Sequence, residues 1–552
     1  MNDKIYRKGK TKVMWIKRLT AFACALFLLC AAGCGQSISE NNDVIESSSE
    51  QGLEERNENI DLKTDEDFSD GSEITQTDIA LQQIKYVKYD KTIQAEDGTI
   101  SGGTKIDKTR KGYKGKGYVT NFNGSENKWE IAFDLSDSQF YNIAVTAASD
   151  KAVITKLAVN GEIMGEIPLS GSKAFETFSL SNIYIKKGTA VITMISDDVT
   201  VDVDFVKVTS AKDSILSGAT AEKAQLSNKN ANANAKALYK YLCENYGKKV
   251  ILGQYDTVGT HVETDKIYEV TGKYPAIRFG DLMPFTQDKN ISAENEIEYA
   301  VEWSKSGGIV GYMWHWTDPS GSGEYYADKT DFDLSKAVTK EDIATLSDKQ
   351  IDKLHKEKKI SDECAAIIKD IDRISEQLKI LQDNGISVIW RPIQEASNGY
   401  FWWGKDSASY KWLWKLLYER QTEYHKLNNL IWVWSAQNAD WYVGDKQCDI
   451  ISADIYDKNQ SSGQLNTLLF LTKICNSKPI AMSECGNFPD INAIAEENAL
   501  WSYIGQWGGN YLINDDGNLS EEYNTAEQLI KIYNNSLVIT KDKLPDNLKS
   551  NN

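Results

Sequence analysis

The stretch CAAIIKDIDRISEQLKILQDNGISVIWRPIQE, residues 364–395, decides the fold class of this chain. Its first part carries apolar residues at the spacing of one helix face. These residues are Ile367, Ile371, Ile374, Leu378 and Leu381. The dipeptide Asn384-Gly385 predicts the end of the helix, and the strand-forming run ISVIWRP follows at once. A helix joined in this way to a strand is the unit from which α/β proteins are built.

Similar strand candidates alternate with helical stretches along residues 233–545. The eight candidates are KVILGQY, YPAIRFGD, GGIVGYMWHW, ISVIWRP, NLIWVWSA, CDIISADIY, KPIAMSE and WSYIGQWG. Eight strands with intervening helices over this length predict a (β/α)8 TIM barrel.

Residues 89–210 have a different pattern, which predicts a separate all-β domain. Short alternating runs such as YNIAVTAA, AVITKLAVNG, TAVITMIS and VTVDVDFVKV are divided by Gly, Asn and Asp. This spacing is typical of a β-sandwich, here expected to be jelly-roll-like. The small polar residues of 211–232 predict a linker between the sandwich and the barrel.

The beginning of the chain predicts export. Residues 1–33 are basic and then apolar, the layout of a secretory signal, and the apolar part is short for a membrane span. AAGC resembles a bacterial lipoprotein cleavage box, which implies a lipid on Cys34; the alternative is an ordinary signal peptide. Residues 34–88 are rich in Ser, Asn, Asp and Glu and predict a disordered acidic linker. We therefore expect a protein on the extracellular side of the membrane, lipid-anchored or secreted.

Composition limits the classes of ligand. The net charge of -18 argues against nucleic acid, which needs a basic surface. There is no GxxxxGK[ST] or HExxH motif and there are four histidines, so nothing predicts a nucleotide or a catalytic metal. The cysteines that follow Cys34 are far apart and predict buried thiols, with room for one disulfide. No feature predicts a protein partner, and we expect a monomer.

Two glutamates lie where barrel strands end, the position at which TIM barrels carry reactive residues. Glu395 follows the fourth candidate strand and Glu484 ends the seventh. A pair of carboxylates is what glycoside hydrolysis requires, and a separation of about 5–5.5 Å gives retention of configuration. The aromatic run from Tyr400 to Trp403 provides apolar neighbours that raise the pKa of an acid, and faces for stacking on sugar rings. The alternative is a structural ion pair, for example with Arg391.

RPIQEASNGYFWWG resembles the acid/base motif of glycoside hydrolase family 26. The stretches ILGQYDTVG, TGKYPAIRFGDL, GYMWHWTDP, WVWSAQ, DIYDKNQSSGQL and MSECGNFPD also resemble the family, in its order. The resemblance implies that Glu395 is the acid/base and Glu484 the nucleophile. The substrate contacts that it implies are His315, Trp316, Arg391, Trp403, Tyr456 and Trp507. One residue departs from the family: Gln394 stands where a histidine is usual, and glutamine cannot carry charge.

The resemblance implies a retaining endo-β-1,4-mannanase acting on galactomannan or glucomannan. The same scaffold hosts mixed-linkage β-1,3-1,4-glucanases and β-1,3-xylanases, which the fold does not separate. An alternative of another class is a non-catalytic lipoprotein that captures glycans.

The sandwich also resembles a known family. IQAEDGTISGG, GYKGKGYVTNF, LAVNGE, KKGTAVITM and VDVDFVKV are similar to carbohydrate-binding modules of family 35. The resemblance implies a structural calcium held by Glu96 and Asp204, whose carboxylates suit a hard cation; the alternative is solvated acids. Tyr118 and Trp129 are the sugar contacts expected in this module, and no cofactor is expected for catalysis.

Overall fold

The computed structural model describes residues 84–123, 126–196, 199–212, 221, 224–286, 295–456 and 462–548. The predicted signal, Cys34 and most of the predicted acidic linker lie outside these residues. In the described part of the chain, no helix has the length and apolar character needed to cross a bilayer.

The N-terminal domain consists of two antiparallel sheets, as the alternating runs predict. Its strands are β1 Asp90–Gln94, β2 Thr99–Ile100, β3 Lys105–Asp107, β4 Tyr118–Thr120, β5 Trp129–Leu135, β6 Gln139–Ser149, β7 Val153–Val159, β8 Glu162–Leu169, β9 Glu176–Ile185, β10 Gly188–Ile195 and β11 Val201–Ser210. One sheet has the order β3-β4-β11-β6-β9, with β1 also on β11, and the other β2-β5-β10-β7-β8. Alternate residues of β5 are buried, so one face of each sheet forms the sandwich core.

The C-terminal domain is a barrel of eight parallel strands, which confirms the predicted fold. Its strands are β12 Val250–Tyr255, β13 Ile277–Asp281, β14 Ile309–Trp314, β15 Val388–Pro392, β16 Leu430–Trp434, β17 Ile450–Ile455, β18 Ile480–Cys485 and β19 Tyr503–Gln506, and a short β20, Val538–Ile539, adds to β12. The barrel closes because β12 pairs with β13 on one side and with β19 on the other. Glycines make room inside it: a Cβ on Gly253 or Gly311 would come within 2.5 Å of the Phe279 ring.

Helices surround the barrel, as expected from the alternation. They are α1 Ala233–Asn245, α2 Val262–Thr271, α3 Glu296–Lys305, α4 Leu334–Ala337, α5 Asp348–Lys356, α6 Asp362–Asp383, α7 Ser407–Glu419, α8 Leu465–Ile474, α9 Ile491–Glu497 and α10 Ala526–Tyr533. The predicted helix of the opening stretch is α6. The Ser361 side chain caps its first turn, and Gly385, with φ of 73°, adopts the left-handed conformation that lets the chain turn into β15.

The sandwich and the barrel contact each other directly. The Tyr184 N–H donates to Asn466 Oδ1 over 2.9 Å, and Asn466 Nδ2 donates back to the Tyr184 carbonyl over 3.1 Å. Lys186 forms an ion pair of 2.9 Å with Glu497. These contacts attach the end of β9 to the helix layer beside α8 and α9.

Candidate active site

The loop after β15 carries Glu395 at the carboxyl end of the barrel. Ile393 and Glu395 have φ of 43° and 50°, a left-handed region that is unfavourable for a β-branched residue above all. The Glu395 N–H donates to the Ser435 carbonyl over 3.1 Å, and Trp403 Nε1–H donates to the Gln394 carbonyl over 2.8 Å. Strain that neighbouring residues hold in place in this way is frequent at functional sites.

Glu484 lies within β18 at the same end of the barrel and is buried. The Tyr456 hydroxyl donates to its Oε2 over 2.6 Å, and Arg391 Nη2 donates to its Oε1. Two donors, one of them charged, favour the ionised carboxylate and fix its orientation. The structure therefore brings Glu484 together with Arg391 and Tyr456, two of the site residues that the resemblance implies.

Asp454 is a third carboxylate of the site, and the sequence reasoning missed it. It lies on β17, where its neighbour in the parallel register is Glu484. Arg391 Nη1 donates to both of its oxygens, over 3.2 and 3.1 Å, so one guanidinium bridges Asp454 and Glu484. The signal was present, since Asp454 precedes Tyr456 by two residues and two-residue spacing places strand side chains on one face.

Glu395 and Asp454 both have raised pKa values. Burial has the largest effect on Glu395 and raises its pKa, and the charge of Asp454 raises it further. Two groups oppose this shift: the Arg391 guanidinium, and the Asn398 amide, which donates to Glu395 over 3.2 Å. Burial also raises the pKa of Asp454, while Arg391 opposes the shift. Glu395 therefore retains its proton to higher pH than an ordinary glutamate, which suits a general acid.

His315 follows β14 and completes this group of polar residues. Its Nδ1 lies 2.6 Å from Asp281 Oδ2, and its ring packs on Phe401 and Trp507 at centroid distances of 5.7 and 6.0 Å. A positive charge on His315 would lower the pKa of Asp454, so the imidazole lies within electrostatic reach of the carboxylates.

This arrangement agrees with the comparison with known families. Residues 227–543 match the model of glycosyl hydrolase family 26. The chain belongs to this family. It is thus a glycoside hydrolase.

Similar proteins extend the match beyond the barrel. A mannan endo-1,4-β-mannosidase of Thermothelomyces thermophilus is 32% identical over 82% of this chain and 90% of the relative. Mannan endo-1,4-β-mannosidase A of a Piromyces species is 31% identical, over 82% of this chain and 72% of the relative. Crystal structures of a ruminal GH26 endo-β-1,4-mannanase (TM-score 0.61, 25% identity) and of a Podospora anserina GH26-CBM35 β-(1,4)-mannanase (TM-score 0.53, 30% identity) cover 84% and 83% of this chain, and each matches over 99% of its own chain.

Two tryptophans predicted as sugar contacts lie below the surface of the family 26 barrel. Trp316 is fully buried, stacks on Trp314 at 4.0 Å, and donates from Nε1 to Asp370 over 2.9 Å. Trp403 is also fully buried and stacks on Phe401 at 4.5 Å. Neither ring has exposed surface in this conformation, so the structure does not place either of them on the wall of the cleft. Their role as sugar contacts stays a prediction. Trp507 is partly exposed and packs on Tyr255 at 4.8 Å, which fits a lining role.

The exposed aromatic surface beside the acid comes from residues that the sequence reasoning did not single out as a group. Tyr326 is 39% exposed and stacks on Phe401 at 5.8 Å with an interplanar angle of 8°. A cavity of about 430 Å³ is present here, lined by Tyr326, Asp328, Lys329, Gly399 and Tyr400. The lining residue Gly399 follows Asn398, whose Nδ2 donates to Glu395 Oε1 over 3.2 Å, so the cavity lies close to the acid.

Gln394 is buried, and neither atom of its amide has a hydrogen-bond partner among the described residues. A buried amide left unpaired costs about 1–3 kcal/mol. Where family 26 usually has a histidine, the structure thus leaves an amide next to the acid available to a partner.

The two aromatic residues predicted as sugar contacts of the sandwich are buried as well. Trp129 has no exposed surface, and its Nε1 donates to the Ala95 carbonyl over 3.0 Å. Tyr118 packs edge-on against Phe175 at 5.5 Å, and its hydroxyl accepts the Arg110 N–H over 3.1 Å. Both rings are buried in the sandwich in this conformation, and their role as ligand contacts stays a prediction.

Glu96 and Asp204 do lie near each other in the sandwich. Burial, partly opposed by the Lys114 backbone N–H, and the charge of Glu96 raise the pKa of Asp204. Gln94 Oε1 and Glu96 Oε2 are buried without a hydrogen-bond partner among the described residues, and both side chains reach Gly115, where a Cβ would come within 2.7 Å of either. The described residues contain no cluster of three or more His, Cys, Asp or Glu that could hold a metal. In this group, two oxygen ligands would come from carboxylates and the third from the amide of Gln94. Unpaired oxygen donors of this kind fit a calcium ion.

The five cysteines at 243, 364, 448, 475 and 485 are buried free thiols, as predicted.

Proposed function

We propose that this glycoside hydrolase is a retaining endo-β-1,4-mannanase that acts on mannan-type polysaccharides. The observation that carries the proposal is the contrast between two carboxylates at one end of the barrel. Glu484 receives hydrogen bonds from Arg391 and Tyr456, whereas burial and a neighbouring charge raise the pKa of Glu395. Such opposed environments assign a nucleophile and an acid. The relatives named mannan endo-1,4-β-mannosidase favour mannan over mixed-linkage glucan and β-1,3-xylan.

The proposed reaction has two steps. Glu395 donates its proton to the leaving glycosidic oxygen while Glu484 attacks the anomeric carbon, which forms a covalent glycosyl-enzyme. Glu395, now ionised, then takes a proton from a water that attacks the same carbon and releases Glu484. Arg391 and Tyr456 keep the nucleophile ionised and oriented through both steps.

The substrate is tested by the release of reducing ends from galactomannan, glucomannan, lichenan and β-1,3-xylan, with the configuration of the first product followed by NMR. We expect the mannans to be hydrolysed fastest, with the β-anomer formed first. Faster hydrolysis of lichenan or xylan would contradict the mannan assignment, and an α-anomer would contradict retention.

Asp454→Asn tests the electrostatics of the acid. Since the charge of Asp454 raises the pKa of Glu395, its removal should lower that pKa. An acid works only below its pKa, so the basic limb of kcat/KM against pH should move to lower pH, by about one unit. The control is Asp352→Asn on the exposed face of α5, which should leave the limb in place. A basic limb that stays unmoved in Asp454→Asn contradicts this account.

We propose further that the sandwich is a carbohydrate-binding module similar to family 35. Support comes from the Podospora anserina GH26-CBM35 structure, which matches 83% of this chain and therefore extends past the barrel. Gln94, Glu96 and Asp204 would hold the calcium ion. The ion would neutralise the facing carboxylates and fix the ends of β1 and β11, and it has no part in catalysis.

We propose lastly that the chain is anchored by a lipid on Cys34, outside the cytoplasm. The support is the basic and apolar segment before Cys34 and the acidic stretch after it. Cys34→Ser is expected to release the protein from the membrane fraction or to block its processing, because the thioether that carries the lipid cannot form. Mass spectrometry of the mature N-terminus checks this; an unlipidated terminus at another residue would refute it.

A further inference from the structure

Asp281, the last residue of β13, binds His315, which follows the neighbouring strand β14. Its Oδ1 accepts the backbone N–H of His315 over 3.0 Å, and its Oδ2 lies 2.6 Å from His315 Nδ1. Oδ1 also accepts the Met283 N–H over 2.9 Å. The carboxylate thus holds both the backbone and the ring of His315.

The chemistry of this contact decides where the ring carries its proton. An ionised carboxylate can only accept, so Nδ1 must donate to Asp281. In the neutral ring, Nε2 is then an acceptor. Nε2 makes no hydrogen bond with the residues that the structure describes, while the ring is held by Tyr325 at 5.2 Å and by Phe401 at 5.7 Å. An oriented acceptor is thereby left available within electrostatic reach of Asp454.

We propose that Asp281 is a positioning residue: it sets His315 in the Nδ1–H tautomer, so that Nε2 accepts a hydrogen bond from a hydroxyl of the sugar at the cleavage point. The inference rests on the proposed function for its ligand, but the tautomer itself does not depend on activity. A hydroxyl can donate to this nitrogen, whereas a ring ether oxygen or a substituted hydroxyl cannot. Asp281 thus gives the cleft a requirement for a free hydroxyl.

Asp281→Asn reverses this polarity with little change in shape. Its Oδ1 can still accept the N–H groups of His315 and Met283, but its NH2 group would face Nδ1. The neutral ring must then carry its proton on Nε2. The full chain labelled with 15N-histidine contains four imidazoles, and the His315 signals are assigned by their loss in His315→Asn. At a pH where the ring is neutral, we expect long-range 1H–15N spectra to show Nδ1–H in the wild type and Nε2–H in Asp281→Asn.

A double-mutant cycle tests whether Asp281 acts through His315. Asp281→Asn should lower kcat/KM on mannan about tenfold or more, since loss of an orienting partner typically costs 10–100-fold. In a His315→Ala background, the same change should cost less than about twofold, because there is no ring left to orient. The control, Asp362→Asn, removes the carboxylate that binds the surface His355 at 2.6 Å and should leave activity unchanged.

Two results would overturn the proposal. One is an Nε2–H tautomer of His315 in the wild type, or a tautomer that Asp281→Asn leaves unchanged. The other is an equal loss of kcat/KM in both backgrounds, which would mean that Asp281 acts only on the fold through its bond to Met283. A wild-type chain without activity on mannan would instead refute the proposed function. The NMR spectra would still test the tautomer of His315, because that measurement does not depend on activity.

Discussion

Glu484→Ala is expected to lose nearly all turnover, with kcat falling on the order of 10⁴- to 10⁶-fold, because the covalent intermediate can no longer form. The fold should survive. Arg391 would lose one partner, but it keeps Asp454, to which it donates over 3.2 and 3.1 Å. Thermal unfolding and circular dichroism check this point. Glu376→Ala, on the exposed surface of α6, is the matched control and should retain wild-type kcat.

Azide separates loss of the nucleophile from general damage. The methyl group that replaces the Glu484 side chain leaves space for the small anion, which can attack an activated β-mannoside directly from the side that the carboxylate occupied. The expected product is the inverted α-mannosyl azide, identified by NMR. Near wild-type activity in Glu484→Ala, or a product that keeps the β configuration, would refute the role of Glu484.

Glu395→Ala is expected to discriminate between leaving groups. The sugar oxygen that departs when mannan is cleaved is a poor leaving group and must be protonated, whereas a dinitrophenolate is stable enough to depart without a proton. We expect hydrolysis of mannan to fall by about 10²- to 10⁴-fold, the usual contribution of general acid catalysis, while formation of the glycosyl-enzyme from an aryl mannoside falls much less. The measurement compares kcat/KM for the two substrates in the variant and in the wild type.

The second step of the reaction provides an independent check on Glu395. Without this base, water attacks the glycosyl-enzyme slowly, but azide needs no base. Azide should therefore accelerate Glu395→Ala as well, and here the product should be the retained β-mannosyl azide, opposite to that of Glu484→Ala. An equal loss on mannan and on the aryl mannoside would count against an acid role.

Much of the architecture could be predicted from local patterns in the chain. The apolar spacing of α6 and the Asn384-Gly385 stop depend on neighbours a few residues away, and so does the run that forms β15. Glu395 and Glu484 could be singled out for the same reason, since the carboxyl end of a barrel strand can be located without knowing what packs around it. The resemblance then added roles to these positions.

Other features depended on contacts between distant segments. The pattern of the chain places Trp316 and Trp403 beside the cleft, but packing against Trp314 and Phe401 buries both rings, while Tyr326, on another loop, supplies exposed surface. The positions of Trp129 and Tyr118 were decided in the same way by the sandwich core. Which face of a ring meets solvent depends on how loops pack, and no local spacing encodes it.

The sequence by itself determined that a sandwich precedes a barrel, where the eight barrel strands lie along the chain, and that two glutamates lie at strand ends, because periodicity and strand ends are local properties. Only the tertiary structure decided the electrostatics of the site. Arg391 reaches Asp454 across 63 residues and Glu484 across 93, and Asp281 reaches His315 across 34. Burial and charge act through space, so the pKa of Glu395 and the orientation of His315 were set when barrel closure brought these strand ends together.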